Sequence, residues 1–217
     1  TKTDWQTEAG LQGCMVDIYE NGVWIAVVTT DEDGKASYKI KKTKEEFKKN
    51  KYTYSVREHT APEGYVWQEN AGEQEGKAGA TLEFAITNER TLGAVKLIKY
   101  DTESECGIHQ GDATLEGAVY GIYAAEDIQH QDGVTGTIYT KDELVSKAVI
   151  GKSPKRNSDG YILNTDGTRH IENRWGKIAM ENTPGQTLFG DLELGKYYIK
   201  EIRPSDGYML DEARYDV

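Results

Sequence analysis

The sequence predicts a mostly β protein made of two related domains in tandem. Three observations predict it. With 14 Tyr and 23 Gly among 217 residues, the composition favours short strands and turns over long helices. Apolar and polar residues alternate in short runs separated by turn dipeptides such as Asn21-Gly22, as in antiparallel hairpins. The order of these runs is repeated in the second half of the chain.

Length, charge and hydrophobicity exclude several classes of protein. No apolar run approaches the ~20 residues that span a bilayer, and no charged-then-apolar leader opens the sequence, so we expect neither a membrane span nor a signal peptide in it. The net charge of -11 opposes binding to a phosphate backbone, which requires clustered basic residues. Nucleic acid is therefore not an expected partner.

The first copy contains a predicted meander of strands with one helical insertion. A capping-box pattern, Thr43-Lys44-Glu45-Glu46, predicts a short helix that ends near Asn50, with its lysines on a solvated face. A turn is predicted at Ala61-Pro62-Glu63-Gly64-Tyr65. The predicted strands cover residues 14–19, 23–30, 35–40, 52–58 and 82–88.

The internal repeat sets the predicted domain boundaries at 1–90 and 91–217. Three segments of the first copy recur in order: Lys2-Thr3-Asp4 as Lys99-Tyr100-Asp101, residues 11–19 as 115–123, and residues 54–65 as 197–208. Between 127 and 190 the second copy has a longer middle, with turn signals at 132–133, 159–160 and 166–167 and a segment, 139–150, that fits either helix or strand.

Both ends of the sequence predict a fragment of a longer array. Residue 1 falls inside the first predicted strand, whereas the second copy has Ala94-Val95-Lys96-Leu97-Ile98 before its matching lysine. The second copy also stops at Val217 without a counterpart of the strand at 82–88. We therefore expect the second domain to lack its last strand here.

Strand parity brings three polar residues toward one core. Lys99 shares parity with Val95 and Leu97, whereas Lys96 faces outward. By the same rule, Glu58 and Glu201 each share a face with the apolar residues of their strands. Asn88 does the same in a third strand. Each residue alone could mark a strand end at the rim, but the pattern recurs in two copies.

These residue types in one core indicate covalent chemistry. A buried lysine and carboxylate are costly unless they pair or neutralise each other. A desolvated lysine has a lowered pKa and becomes a neutral nucleophile, while a buried glutamic acid can polarise a carboxamide and transfer protons. Held close together, the amine could displace ammonia from asparagine and form an isopeptide bond.

The chain resembles tandem Cna protein B-type domains, also called SpaA-like or prealbumin-like domains, of Gram-positive pilins and adhesins. The resemblance covers nearly the whole chain except the long middle of the second copy. The segments that carry it are residues 2–4, 11–19, 54–65 and 84–88 in the first copy, and 95–101, 115–123 and 197–208 in the second.

The resemblance implies two immunoglobulin-like β-sandwiches and names the crosslinking residues. In the first domain, Lys2 would join Asn88 with the assistance of Glu58. In the second, Lys99 and Glu201 match, but no asparagine precedes Val217 in the matching position. It also implies a secreted, cell-wall-attached stalk or spacer module, with neighbouring domains of a longer surface protein as partners, an anchor outside this sequence and no enzymatic turnover beyond self-crosslinking.

The main alternative is a binding module for a carbohydrate or a host matrix protein, located in the enlarged middle of the second domain. Trp5, Trp24, Trp67 and Trp175 could form a sugar-stacking platform, although tryptophan is also an ordinary strand residue. An ordinary hydrolase is the least favoured class, because no convergent catalytic set is present.

The sequence predicts no metal or cofactor. Residues 31–34 resemble the start of a calcium loop but lack its other ligand positions. The histidines, at positions 59, 109, 130 and 170, have no zinc spacing. Cys14 and Cys106 are too few for a disulfide framework and are interpreted as two thiols.

Overall fold

The structure is a computed structural model that describes residues 1–69, 72–103, 105, 111–151 and 185–217. The chain divides into two compact units. Unit 1 contains Thr1–Thr91 and His130–Gly136, and unit 2 contains Leu92–Gln129 and Thr137–Val217.

Strands dominate the described part of the chain, so the prediction of an all-β protein is confirmed. In chain order the elements are β1 (Lys2–Asp4), β2 (Met15–Glu20), β3 (Val23–Thr29), α1 (Lys44–Lys49), β4 (Thr53–Glu58), β5 (Glu73–Glu75), β6 (Ile86–Asn88), β7 (Gly93–Ile98), β8 (Val119–Ala124), β9 (Ile128–Gln129), β10 (Thr137–Tyr139), β11 (Leu144–Val149), β12 (Gln186–Leu192), β13 (Tyr197–Arg203) and β14 (Tyr215–Asp216).

Unit 1 contains a four-stranded antiparallel sheet and a short parallel pair. The sheet has the order β3-β2-β4-β5, and β1 lies parallel to β6. Alternate side chains of β2 and β4 point inward, as the period of two requires, and form a core with the parallel pair through Val16, Ile18, Val56 and Ile86. The parallel pair therefore packs against the inward-facing side chains of β2 and β4.

Unit 2 repeats the larger sheet of unit 1, but its first strand, β7, joins an antiparallel pair instead of a parallel one. Its larger sheet has the order β11-β8-β13-β14, in which β8 and β13 correspond to β2 and β4 of unit 1. A second pair joins β7 antiparallel to β12, and a third joins β9 to β10. The core of unit 2 is larger and includes Tyr120, Ile122, Phe189 and Ile199, all at most 4% exposed.

The helix α1 begins as its sequence predicts. The hydroxyl of Thr43 accepts a hydrogen bond from the backbone N–H of Glu46, and the carboxylate of Glu46 accepts one from the backbone N–H of Thr43. These two contacts form the reciprocal capping box. No residue of α1 is buried, so local capping rather than core packing holds it.

One predicted strand is wrong and two predicted segments are refined. Residues 35–40 form no strand, because five of the six are exposed and the segment has no core face against which to alternate. The strand predicted at 82–88 covers only Ile86–Asn88. The segment at 139–150 consists of the end of β10 and the strand β11, so the helical alternative is wrong there. The turns predicted at 159–160 and 166–167 lie outside the described residues.

Candidate crosslinking site

Unit 1 buries a lysine, a glutamate and an asparagine at the strand ends beside the parallel pair. Lys2 opens β1, Glu58 ends β4 and Asn88 ends β6. Their exposed fractions are 0%, 3% and 0%. In-register pairing of β1 with β6 sets Lys2 opposite Ile86 and Asp4 opposite Asn88, so the lysine and the asparagine lie on adjacent strands, two positions apart.

Glu58 contacts both other members of the group. The Lys2 Nζ lies 2.5 Å from Glu58 Oε1, and Asn88 Nδ2 donates to the same oxygen at 2.9 Å. Asn88 Nδ2 also donates to the carbonyl oxygen of Val66 at 2.7 Å. The backbone N–H of Gln68 donates to Glu58 Oε2, which fixes the carboxylate plane. One carboxylate oxygen is thus shared by the amine and the carboxamide nitrogen.

Burial makes the Lys2 ammonium easier to deprotonate. Burial lowers the pKa of Lys2, and its hydrogen bond and ion pair with Glu58 oppose that effect only partly. Asn88 Oδ1 is buried and accepts no hydrogen bond from the described residues. The carboxamide is therefore held through its nitrogen, the atom that would leave as ammonia.

A buried aspartate ties β1 to the turn after β4. The Tyr65 hydroxyl donates to Asp4 Oδ2 at 2.9 Å, and the backbone N–H groups of Gln6 and Thr7 donate to Asp4 Oδ1 at 2.7 and 2.9 Å. Asp4 is 1% exposed and Tyr65 is 6% exposed. Because Asp4 lies two residues after Lys2 on the same strand face, this contact also positions the lysine.

We expect Tyr65→Phe to lower the free energy of unfolding of unit 1 by about 1–3 kcal/mol, because one oxygen of a buried carboxylate loses its donor. Hydrogen exchange of β2 and β4 peptides against denaturant measures the change in unit 1 alone. Tyr38→Phe removes a hydroxyl from a ring that is 48% exposed and serves as the control. Equal effects of the two substitutions would contradict a structural role for the Tyr65–Asp4 contact.

Unit 2 contains the same ion pair and the same aspartate contact. Lys99 Nζ lies 2.9 Å from Glu201 Oε1, and the Tyr208 hydroxyl donates to Asp101 Oδ2 at 2.7 Å. The backbone N–H of Asp211 donates to Glu201 Oε2 at 2.8 Å, as that of Gln68 does to Glu58. Lys96 is exposed on the opposite face of β7.

The two sites differ in one side chain and in the third member of the group. Where unit 1 has Val16, unit 2 has Tyr120, whose hydroxyl lies 3.2 Å from Lys99 Nζ. Burial, followed by the charge of Glu201, raises the pKa of Tyr120. Within the described residues, no asparagine contacts Lys99 or Glu201, so the structure does not bring a complete set together in unit 2.

Sequence reasoning missed the aspartate–tyrosine contact, although the signal was present. Asp4 and Asp101 each follow the lysine by two residues, and Tyr65 and Tyr208 each follow the glutamate by seven. Both pairs belong to the repeated segments. Residues that recur at constant spacing in two copies and share a strand face with a buried lysine are candidates for direct contact.

The other candidate sites do not assemble in the described residues. Asp31 Oδ1 accepts the backbone N–H groups of Asp33 and Lys35, as in a hairpin turn, and no group of three or more metal-ligating side chains occurs in the described ranges. No helix in the described part of the chain is long and apolar enough to cross a membrane. Cys14 is buried.

Three of the four tryptophans are about half exposed, at 49–55%. They are Trp5, Trp24 and Trp67. Two of them already donate from the indole, Trp24 to Asp17 and Trp67 to the Glu58 carbonyl oxygen. Trp175, His109, His170 and Cys106 lie outside the described residues.

Several known proteins are similar to this chain. It matches the family model of the SpaA prealbumin-like fold domain twice, over residues 1–90 and 93–217. The Bacillus anthracis TIE protein is 20% identical with a TM-score of 0.56, over 100% of this chain and 30% of that one. A streptococcal ancillary pilin is 13% identical with a TM-score of 0.32, over 100% and 56%.

The shaft pilin SpaA of Lactobacillus rhamnosus GG is 13% identical with a TM-score of 0.29, over 99% of this chain and 89% of that one. No curated protein matches the chain. It spans about a third and about half of the first two solved chains. Of the three similarities, the one to the TIE protein supports a shared fold.

The two family matches together cover nearly every residue, and each coincides with a sandwich that carries the lysine, glutamate and aspartate–tyrosine contacts described above. The chain therefore belongs to the SpaA family of prealbumin-like fold domains.

Proposed function

We propose that this chain is a structural stalk or spacer segment of a bacterial surface protein or pilin, and that an autocatalytic isopeptide bond between Lys2 and Asn88 stiffens its first domain. The observation that carries the proposal is the shared Glu58 oxygen, which lies 2.5 Å from the amine and 2.9 Å from the carboxamide nitrogen. The two matches to the SpaA prealbumin-like fold domain, over residues 1–90 and 93–217, support the structural role.

The proposed reaction balances within the three side chains. Glu58 accepts a proton from the Lys2 ammonium, which leaves a neutral amine and a neutral acid in the low-dielectric core. The amine attacks Asn88 Cγ, and a Cγ–Nζ bond forms. Glu58 donates its proton to Nδ2 and takes up the extra proton of Nζ, so the Cγ–Nδ2 bond breaks and ammonia leaves. Proximity supplies most of the acceleration, because no external reactant must be bound.

The topology makes this bond mechanically effective. Pulling on Thr1 and on the segment after Asn88 draws the parallel strands β1 and β6 in opposite directions, which shears a pair only three residues long. A covalent link between Lys2 and Asn88 carries that force past residues 3–87. Unit 1 would then bear load without a large core, as a stalk requires.

The intact mass under denaturing conditions tests the proposal. We expect the parent protein to weigh one ammonia less than its sequence and to yield a crosslinked peptide that contains Lys2 and Asn88. Glu58→Ala is expected to restore the mass of the unmodified sequence, since the amine then has no base. Glu201→Ala, which removes the equivalent carboxylate of unit 2, is the matched control and should keep the deficit.

An unmodified mass in the parent would overturn the crosslinking proposal. The same holds if the deficit persists in Glu58→Ala. The second-domain binding site for a carbohydrate or matrix protein stays a prediction, because most of the enlarged middle lies outside the described residues. Attachment to the cell wall and the neighbouring domains are part of the proposal and follow from the surface role.

A further inference from the structure

A basic cleft lies beside α1 in unit 1, away from the buried crosslinking group. It has a volume of about 330 Å³ and opens to solvent. Lys44, Lys48, Lys51 and Lys77 line it, with Phe47 and Glu75. The four lysines are exposed and Phe47 is partly buried, so cationic ends surround an aromatic surface.

The charge of this region is opposite to that of the whole chain. Residues 39–51 contain seven lysines and two glutamates, whereas the chain carries a net charge of -11. Among the described residues, Lys44, Lys51 and Lys77 form no ion pair, while Lys48 pairs with Glu45 at 2.9 Å. Since α1 buries no residue, these lysines do not serve core packing.

An aromatic ring and a glycine shape the floor of the cleft. Phe47 packs edge-on against Tyr52 with ring centroids 5.4 Å apart. A Cβ at Gly76 would lie 2.5 Å from the ring of Tyr54 and 3.3 Å from that of Phe47, so the backbone here approaches both rings closely. Phe47 therefore gives the cleft an apolar, aromatic part of its lining beside the four lysines.

We infer that this cleft binds an acidic polysaccharide whose sugar rings carry carboxylate or sulfate groups. The apolar face of a sugar ring can pack on Phe47, and the lysines supply counter-charges to its anionic groups. A phosphodiester polymer would use the lysines but not the aromatic floor. A rigid nucleic acid duplex would extend beyond the cleft into the negative field of the protein.

Calorimetric titration of the full chain with a size-defined heparin tetrasaccharide tests this inference. We expect saturable binding that weakens as salt rises through screening of the ion pairs. The variant Lys44→Gln/Lys48→Gln/Lys51→Gln/Lys77→Gln is expected to bind at least about tenfold more weakly. Phe47→Leu keeps the apolar contact with Tyr52 but removes the ring, and is expected to weaken binding several-fold with an unchanged salt dependence.

A matched variant removes the same charge elsewhere. Lys141→Gln/Lys147→Gln/Lys196→Gln/Lys200→Gln changes four exposed lysines of unit 2 and should bind as the parent does. Equal losses in the two quadruple variants would overturn the inference, because attraction would then be set by net charge alone. Absence of heparin binding at low salt, or binding of poly(glycerol phosphate) in its place, would also overturn it.

The inference does not depend on the isopeptide bond. None of the cleft residues contacts Lys2, Glu58 or Asn88 in the structure, so the cleft variants should keep the mass deficit of one ammonia. A protein that lacks the deficit but binds heparin would contradict only the proposed crosslink. A protein that has the deficit but does not bind would contradict only the cleft.

Discussion

Denaturant unfolding of unit 1 is expected to rank three proteins: the parent as the most stable, then Asn88→Ala, then Glu58→Gln. Asn88→Ala removes the carbon that the amine attacks but keeps the ion pair between Lys2 and Glu58. Glu58→Gln removes both the base and the counter-charge. The two substitutions therefore separate the effect of the covalent bond from the effect of burying an unpaired lysine.

We expect a large difference in the free energy of unfolding between the parent and Asn88→Ala, and another between Asn88→Ala and Glu58→Gln. A crosslink that closes a loop of roughly 85 residues stabilises by ~4–5 kcal/mol in the chain-entropy model of disulfides. The free energy of unfolding of Asn88→Ala should therefore be lower than that of the parent by this amount. Glu58→Gln should lose a further ~3–5 kcal/mol, because it leaves a buried ammonium without a partner. A lysine that is 0% exposed cannot recover this energy from water without local unfolding.

Hydrogen exchange of β2 and β4 peptides against denaturant measures unit 1 separately from unit 2, and digestion with trypsin gives an independent readout. Glu201→Gln is the control, since it should leave exchange in unit 1 unchanged. Equal stability of the parent and Asn88→Ala would mean that no bond forms between β1 and β6. Equal stability of Asn88→Ala and Glu58→Gln would mean that the buried ion pair does not contribute to the stability of unit 1.

The parts of the fold that were predictable depend on local signals. Period-two alternation located β2, β4 and β8 to within one or a few residues, because each has one buried face. The capping box located α1 because its contacts are also local and span only three residues. Residues 35–40 show the limit of such signals, since a turn dipeptide and β-forming residues do not make a strand without a neighbouring sheet to receive it.

The clustering of Lys2, Glu58 and Asn88 in one core was predictable because parity and repetition act together. Glu58 and Asn88 share a face with apolar neighbours, Lys2 matches Lys99 in the repeated segments, and the structure buries Lys2, Glu58 and Asn88. The contacts of Asn88 with Val66 and of Glu58 with Gln68 were not predictable. They depend on how the chain turns after β4, where no periodic pattern exists and three-dimensional packing decides which backbone groups face the site.

A backbone contact with a glycine positions β1, and a side chain at this glycine should strongly destabilise unit 1. The Gly34 carbonyl oxygen accepts the backbone N–H of Lys2 at 2.8 Å. Gly34 has φ +69, and a Cβ there would lie 2.1 Å from the Lys2 carbonyl oxygen and 2.8 Å from the Gly10 Cα. Both contacts are with backbone, so no side-chain rotation can relieve them.

We therefore expect Gly34→Ala to displace β1, lower the free energy of unfolding of unit 1 by about 3 kcal/mol or more and reduce the fraction of protein that shows the ammonia deficit. Gly22→Ala is the matched control. Gly22 has φ +78 with no atom within 4 Å of its Cβ position, so it incurs only the cost of a left-handed alanine, about 1 kcal/mol.

The comparison isolates the clash from the backbone conformation, because the two glycines share the same left-handed region and differ only in their neighbours. Intact mass gives the crosslinked fraction and hydrogen exchange gives the stability of the same samples. If Gly34→Ala crosslinks as completely as Gly22→Ala, the amine of Lys2 reaches Asn88 without the register that Gly34 imposes. The ion pair with Glu58, rather than the strand pairing, would then be the contact that aligns the reacting atoms.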